Sequence, residues 1–326
     1  MVGTARELTF AQAVGDGLAC AMREDPRVWI FGEDVAAGGA YGASQGLLAE
    51  FGPARVRDTP ISEIAIAGFA VGAAMTGTRP VPEIMHMDFA ACAMDQLVNQ
   101  MAKMRYMVGG KTSVPVTVRC GVGGWLGAAA QHSQSLEAWF THVPGLKVAA
   151  SATAEDAKGV LLAAIRDDNP TIVLEPLALF PTRGQVPEEA YERPVGVASR
   201  KREGGDLTIV TWGGVVPRVL EAAERLAEQG VEADVLDLIW LKPLDGEAVL
   251  ASLARTHRLL VVHQAYRRSG FGAEIVAYVN EHGFDLLDQP VRRVAGLDVP
   301  VPFAPPLEEY VLPSVERIVQ AALDLG

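Results

Sequence analysis

The sequence predicts an α/β protein built as two doubly wound domains. Short apolar runs of strand length alternate with longer helical runs along most of the chain, the pattern of a mostly parallel sheet. One stretch breaks that alternation: Pro176, Pro181, Pro187 and Pro194 punctuate it, and it ends in Gly204-Gly205. A length of 326 residues suits two cores, one on each side of the break. The expected borders are a first domain over 1–185, a linker over 186–205 and a second domain over 206–326.

Phe10 to Arg23 is amphipathic and reads as a helix. Val28-Trp29-Ile30-Phe31 is a short strand, closed by Gly32-Glu33-Asp34 and a glycine-rich loop through Gly42. Such a loop after a strand is where α/β proteins place ligands. Arg55 to Thr59 reads as a strand leading into a long apolar helix. Pro80 to Met85 is the next strand, and Phe89 to Met107 the next helix. Val114 to Arg119 follows as a strand, then a glycine-rich loop to His132. Leu146 to Ala149, a helix over Ala154 to Arg166 and a strand over Thr171 to Leu174 complete the first domain. The second starts at Leu207 to Thr211, with a helix from Val216 to Glu228. Strands at Ala233 to Leu238 and Leu259 to His263, a helix after Gly272 and a last helix from Ser314 follow.

The totals exclude several functions. Net charge is −12, which opposes nonspecific binding to nucleic acid or an anionic membrane. Cys20, Cys92 and Cys120 are far apart and odd in number, neither a disulfide framework nor a zinc pattern. The opening residues Met1 to Glu7 lack the apolar centre of a signal peptide. A reducing, cytoplasmic location is expected.

The most informative run is Arg57-Asp58-Thr59-Pro60-Ile61-Ser62-Glu63, followed by Ile64 to Met75. Thr59 suits a helix cap and Pro60 its first position. Glu63 then falls in the first turn, where the helix dipole favours negative charge. No charge follows until Arg79, so the helix is expected to be buried. Ala65, Gly68 and Gly72 leave room for close backbone approach on one side. Glu63 is either a first-turn glutamate satisfied by N–H groups or a carboxylate that serves chemistry.

Phe89 reads first as core. His132 lies between Gln131 and Ser133, after a glycine-rich loop and before a helix. A histidine near its ordinary pKa can pass protons at neutral pH. Ala164 to Pro170 reads as a helix end and turn. Two glycine pairs fail as dinucleotide fingerprints: Leu126 follows Gly121-Val122-Gly123, and Ile275 follows Gly270-Phe271-Gly272, where a third glycine is required.

The Asp58–Glu63 run before its glycine- and alanine-rich helix resembles the β subunit of the thiamine diphosphate-dependent 2-oxo acid dehydrogenases. That family includes the pyruvate, branched-chain and acetoin dehydrogenases. The resemblance runs from Phe31-Gly32-Glu33-Asp34 to Pro305-Pro306-Leu307-Glu308-Glu309. It implies a transketolase-like pyrimidine-binding domain followed by a transketolase C-terminal-like domain. It implies that Glu63 holds N1′ of the aminopyrimidine, that Phe89 packs on its ring, and that Cys92 stands where pyruvate members often carry glutamine. His132 would serve acyl transfer to lipoamide. The positions matching a potassium site are Val116, Ala164, Ile165, Asp167 and Asn169.

Gly15-Asp16-Gly17 superficially matches the start of the family's diphosphate motif. It interrupts a helix-like segment, and no asparagine follows before Asn99. The diphosphate and its magnesium are therefore expected on a separate α subunit, in an α2β2 heterotetramer that docks a lipoyl acyltransferase core. The alternatives are a carboligase subunit without lipoamide, a catalytically silent scaffold subunit, and a Rossmann-type binding module. The last is weakened by the failed fingerprints. His263, beside Gln264 where the family often has glutamate, is expected to be structural.

Overall fold

The structure, a computed structural model, describes residues 5–325. Met1 to Thr4, part of the N-terminal reading, and Gly326 lie outside them. The chain divides into two compact units. Of the described residues, one comprises 5–122 and 139–195 and the other 123–138 and 196–325.

In the first unit, strands β1 (Ala5–Thr9) and β8 (Arg183–Pro187) form an antiparallel pair. Its other strands are β2 (Val28–Gly32), β3 (Val56–Asp58), β4 (Arg79–Ile84), β5 (Thr117–Val122), β6 (Lys147–Ala150) and β7 (Thr171–Pro176). They run parallel in the order β6-β7-β5-β4-β2-β3. Non-sequential neighbours need crossovers, and helices supply most of them.

Helix α1 (Phe10–Glu24) opens with a capping box: Thr9 accepts from the Gln12 N–H, and the Gln12 side chain accepts from the Thr9 N–H. Its face of Phe10, Val14, Leu18 and Met22 is buried with Leu161, Leu162 and Ile165 of α6 (Ala154–Arg166). Each such side chain stabilises the unit by roughly 1.5–3 kcal/mol. Gly15-Asp16-Gly17 sits inside α1. A Cβ on Gly15 would meet the Ala43 carbonyl at 2.8 Å, and Asp16 pairs with Arg6 and Lys158. The triplet is a packing device, as its position in the sequence suggested. Between α1 and α6 lie α2 (Leu47–Phe51), α3 (Glu63–Met75), α4 (Met104–Met107) and α5 (Glu137–Thr141).

The structure departs from three expectations in this unit. Helix α3 starts at Glu63 with Ser62 at its cap, and Ser62 makes no side-chain cap bond. Thr59 does not cap it: the helix starts only after Ser62, the buried Thr59 Oγ1 accepts from no helix N–H, and the Thr59 N–H goes to the Gly32 carbonyl, continuing the alignment of β3 beside β2. Nor is α3 buried all round. Ile66, Ala67, Ala70, Val71 and Ala74 are buried, but Ile64 and Phe69 are 54% and 59% exposed, and Ile61 before them is 81% exposed. The helix expected over Phe89 to Met107 is broken into a 3₁₀ segment (Met87–Ala93), a π-helical segment (Asp95–Met101) and α4.

In the second unit the strands are β9 (Ser199–Arg202), β10 (Leu207–Thr211), β11 (Ala233–Asp237), β12 (Trp240–Lys242), β13 (Leu259–Tyr266) and β14 (Arg292–Gly296). Five form a sheet in the order β14-β13-β10-β11-β9, parallel except for β9. Helices α7 (Val216–Ala227), α8 (Gly246–Thr256), α9 (Gly272–His282), α10 (Pro305–Val311) and α11 (Val315–Leu323) complete it. Val219, Ala222 and Leu226 of α7 and Ile318 of α11 join Ile209, Val235 and Val262 in the core. The span 186–205 is not a bare linker, since it holds the end of β8 and all of β9. Among the described residues no helix is long and apolar enough to cross a membrane.

Candidate active site

Ligands of open parallel sheets bind outside the carboxyl ends of the strands. Three adjacent strands, β4, β2 and β3, deliver residues there: Phe89 after β4, Glu33 after β2 and Glu63 after β3. Glu63 is half-buried in the first turn of α3. The Ser62 carbonyl accepts the Ile66 N–H at 2.9 Å, so the helix closes below the carboxylate. Among the described residues Glu63 has no hydrogen-bond or ion-pair partner. A half-buried carboxylate with its acceptors uncommitted is the group needed to hold a ring nitrogen that carries or shares a proton. Glu33, close by, is pushed up by burial and then by the negative charge of Glu63.

Phe89 is half-buried and meets His86 edge-on, with ring centroids 5.8 Å apart. His86 Nε2 lies 2.9 Å from the Tyr41 hydroxyl, which comes from the glycine-rich loop after β2. Phe89 thus presents an aromatic surface held by polar neighbours. Cys92, on the same 3₁₀ segment, is exposed and unpaired. The π-helical segment packs on α3, and a Cβ on Gly68 would stand 3.3 Å from Gln96. Gly68 therefore serves this internal contact, while Ala65 and Gly72 face outward.

Behind the strand ends lies a buried ion triad. Arg119 on β5 donates to Glu175 on β7 at 2.8 and 2.7 Å and to Glu83 on β4 at 2.5 Å. Burial works against the charge on Arg119, but the two carboxylates outweigh it and hold the guanidinium above its ordinary range. Burial also pushes Glu175 up, with Arg119 opposing.

The five potassium candidates fall in one region of the first unit. The Val114 N–H bonds the Asp168 carbonyl, and the Thr171 N–H bonds the Val116 carbonyl at 2.9 Å, laying the start of β5 beside the loop after α6. The Ile165 and Asp167 carbonyls each accept from Arg79 at 3.0 Å. The Asp167 carboxylate pairs with Lys147 and accepts from both nitrogens of Asn169. Burial works to raise Asp167, but these partners hold it below its ordinary range. Hard oxygen donors suit a potassium ion in kind, and here they already share two carbonyls with a guanidinium. Ala164 is buried within α6.

His132 belongs to the second unit, on the segment 123–138. It is exposed, and its N–H bonds the Ala129 carbonyl at 3.4 Å. Trp125, Gly127 and Ala129 adopt left-handed backbone at φ 66°, 61° and 63°. For Trp125 and Ala129 this costs about 1–3 kcal/mol each, so something must hold the loop. Glu308 does: its carboxylate accepts from the N–H groups of Trp125, Leu126 and Gly127. His263 is fully buried, stacked 5.1 Å from Trp212 and pushed down to about 3 by burial. Cβ atoms on Gly270 or Gly272 would strike its ring, so that glycine pair makes room for it.

Sequence reasoning did not assign Glu33, the Arg119 triad or Glu308. A charge inside a strand, as at Glu83, Arg119 and Glu175, was the available signal for the triad. Glu308 reads like any first-turn glutamate.

This two-unit architecture is that of the transketolases. A solved chain described as a split-gene transketolase, inactive β4 tetramer, superposes with a TM-score of 0.80 over 98% of each chain at 22% identity. Residues 6–182 match the transketolase pyrimidine-binding domain and residues 196–318 the transketolase C-terminal domain. The acetoin:2,6-dichlorophenolindophenol oxidoreductase subunit beta of Bacillus subtilis is 45% identical, over 98% of both chains. The pyruvate dehydrogenase E1 component subunit beta of Rickettsia felis is 44% identical over 97% of both, and a mitochondrial counterpart from Oryza sativa is 44% identical over 98% of this chain and 86% of its own. The chain belongs to the β-subunit family of the 2-oxo acid and acetoin dehydrogenases, as its resemblance implied.

Proposed function

We propose that this chain is the β half of a thiamine diphosphate-dependent dehydrogenase that works in the cytoplasm with an α subunit, as an α2β2 assembly, on a 2-oxo acid or acetoin. The observation that carries this reading is the uncommitted, half-buried carboxylate of Glu63 at the strand ends, with Phe89 beside the same edge. Glu63 would hold N1′ of the aminopyrimidine and exchange a proton there. Phe89 would pack on the ring, and Cys92 would border it. Bound thiamine diphosphate supplies the carbanion chemistry. His132, exposed at the end of its loop, would assist transfer of the acyl fragment to a lipoyl arm on an acyltransferase core.

The diphosphate and Mg²⁺ are assigned to the α subunit, because Gly15-Asp16-Gly17 is committed to helix packing here. The exposed apolar residues Ile61, Ile64 and Phe69, next to Glu63, support a subunit that covers this side. The test is acceptor reduction by the co-purified α and β chains with added cofactor, across pyruvate, branched-chain 2-oxo acids, 2-oxoglutarate and acetoin. Cofactor-dependent turnover of one substrate is expected. Carbon–carbon ligation without lipoamide acylation would favour the carboligase reading, and no turnover the scaffold reading.

Potassium on the oxygens of Val116, Ala164, Ile165, Asp167 and Asn169 belongs to the same proposal. K⁺ should then raise Tm more than equimolar Na⁺; equal shifts would remove the site.

A further inference from the structure

We infer that Glu308 is a positioning residue that shapes the loop presenting His132. Successive N–H groups turned to one side by left-handed backbone form a concavity that binds anions. Trp125 and Gly127 are left-handed, and the N–H groups of Trp125, Leu126 and Gly127 converge on one carboxylate. Oε1 of Glu308 accepts from Trp125 at 2.7 Å and Leu126 at 3.3 Å; Oε2 accepts from Gly127 at 3.0 Å. The anion of this concavity is thus built into the chain. Glu308 is 3% exposed, so few waters compete for those donors.

The surroundings fit a clamp. Pro305 and Pro306 start α10, which suits their fixed φ and missing N–H. Gly124 allows the approach, since a Cβ there would stand 3.0 Å from Glu308 Oε1 and 2.7 Å from Leu312. The neighbouring acid, Glu309, pairs with Arg218, whose guanidinium lies 4.4 Å from the Trp125 ring centroid. Backbone and ring of Trp125 are therefore held by two adjacent glutamates, one directly and one through an arginine. The chain then turns at Ala129, whose carbonyl accepts the His132 N–H. Releasing the concavity would free the turn and with it the histidine. A carboxylate serves all three donors; an amide would aim its NH₂ at one of them.

The inference rests on the proton-transfer role of His132, and the test separates the two. Glu308→Ala, Glu308→Gln and His132→Ala are prepared as β chains assembled with the α subunit. Hydrogen exchange is measured on residues 123–135, alongside acceptor reduction and lipoamide acylation. Glu308→Ala should speed exchange at amides 125–127 and lower lipoamide acylation by about 10–10²-fold, more than acceptor reduction. Glu308→Gln should fall between it and the parent. His132→Ala should lose the same step without faster exchange, and adding Glu308→Ala to it should cost little further. Unchanged loop exchange in Glu308→Ala overturns the inference. So does faster exchange with acylation intact, or with both activities lost equally. An intact His132→Ala removes the histidine's role while leaving the exchange result to judge the clamp. If Glu308→Ala does not assemble, the same comparisons are read from Glu308→Gln.

Discussion

Glu63→Gln is expected to lower thiamine diphosphate-dependent turnover by about 10²- to 10⁴-fold, the usual worth of a positioned acid–base group. The substitution keeps the size and hydrogen-bonding capacity of the side chain and removes its charge. Glu63 has no partner to lose among the described residues, so nothing else in the unit should break. The helix loses a first-turn charge, worth roughly 0.3–1 kcal/mol. The variant should therefore fold and assemble like the parent, with Tm nearly unchanged. Cofactor titration separates the outcomes: retained binding with lost turnover places Glu63 at the chemistry, whereas unchanged turnover at saturating cofactor rules it out. Glu33 gives a second reading. Its carboxyl is raised in part by the Glu63 charge, so Glu63→Gln should let it titrate closer to its ordinary range.

Arg119→Met should be the most destabilising single change in the first unit. It leaves Glu83 and Glu175 without their shared cation, and breaking a buried pair costs about 3–5 kcal/mol. For a unit of this size that is a fall in Tm of roughly 6–20 °C. The loss has a pH signature. Burial already raises Glu175 above its unfolded value while Arg119 opposes that rise, so removing Arg119 lets it climb further. A carboxyl raised on folding contributes its full stability below the unfolded pKa of about 4.3 and loses it as pH rises through the folded value. The gap between variant and parent should thus widen from about pH 5 to about pH 8. Thermal unfolding by circular dichroism at both values checks it. A gap that is constant, or larger in acid, would mean the triad is not the cause.

The alternation of strands and helices was legible because parallel strands are buried on both faces and read as short apolar runs. The position of Glu63 in the first turn of α3 was legible too, since a polar turn before a long apolar segment marks it. What escaped depended on distant partners. Thr59 looks like a cap, but α3 starts only after Ser62 and the Thr59 hydroxyl accepts from no helix N–H. The apolar pattern through 95–101 cannot distinguish α from π winding. That winding accompanies close approach from elsewhere: a Cβ on Gly145 would lie 2.0 Å from the Ala102 carbonyl, and Lys103 bonds the Pro144 carbonyl. Pairing of β1 with β8 joins exposed, charged strands nearly the whole first unit apart, with no local signal. The excursion of 123–138 into the second unit likewise has no compositional mark.

That excursion has a consequence for how the protein is made. Gly127 leaves the ribosome 181 residues ahead of the Glu308 that anchors it. At ordinary translation speeds this is a wait of about 9–36 s. Throughout it the nascent chain carries an undocked, glycine-rich segment between two stretches of its first unit, open to proteases and chaperones. The border between the units is for the same reason a poor place to cut. A fragment ending there would keep the loop and lose the Glu308 carboxylate that gathers its N–H groups.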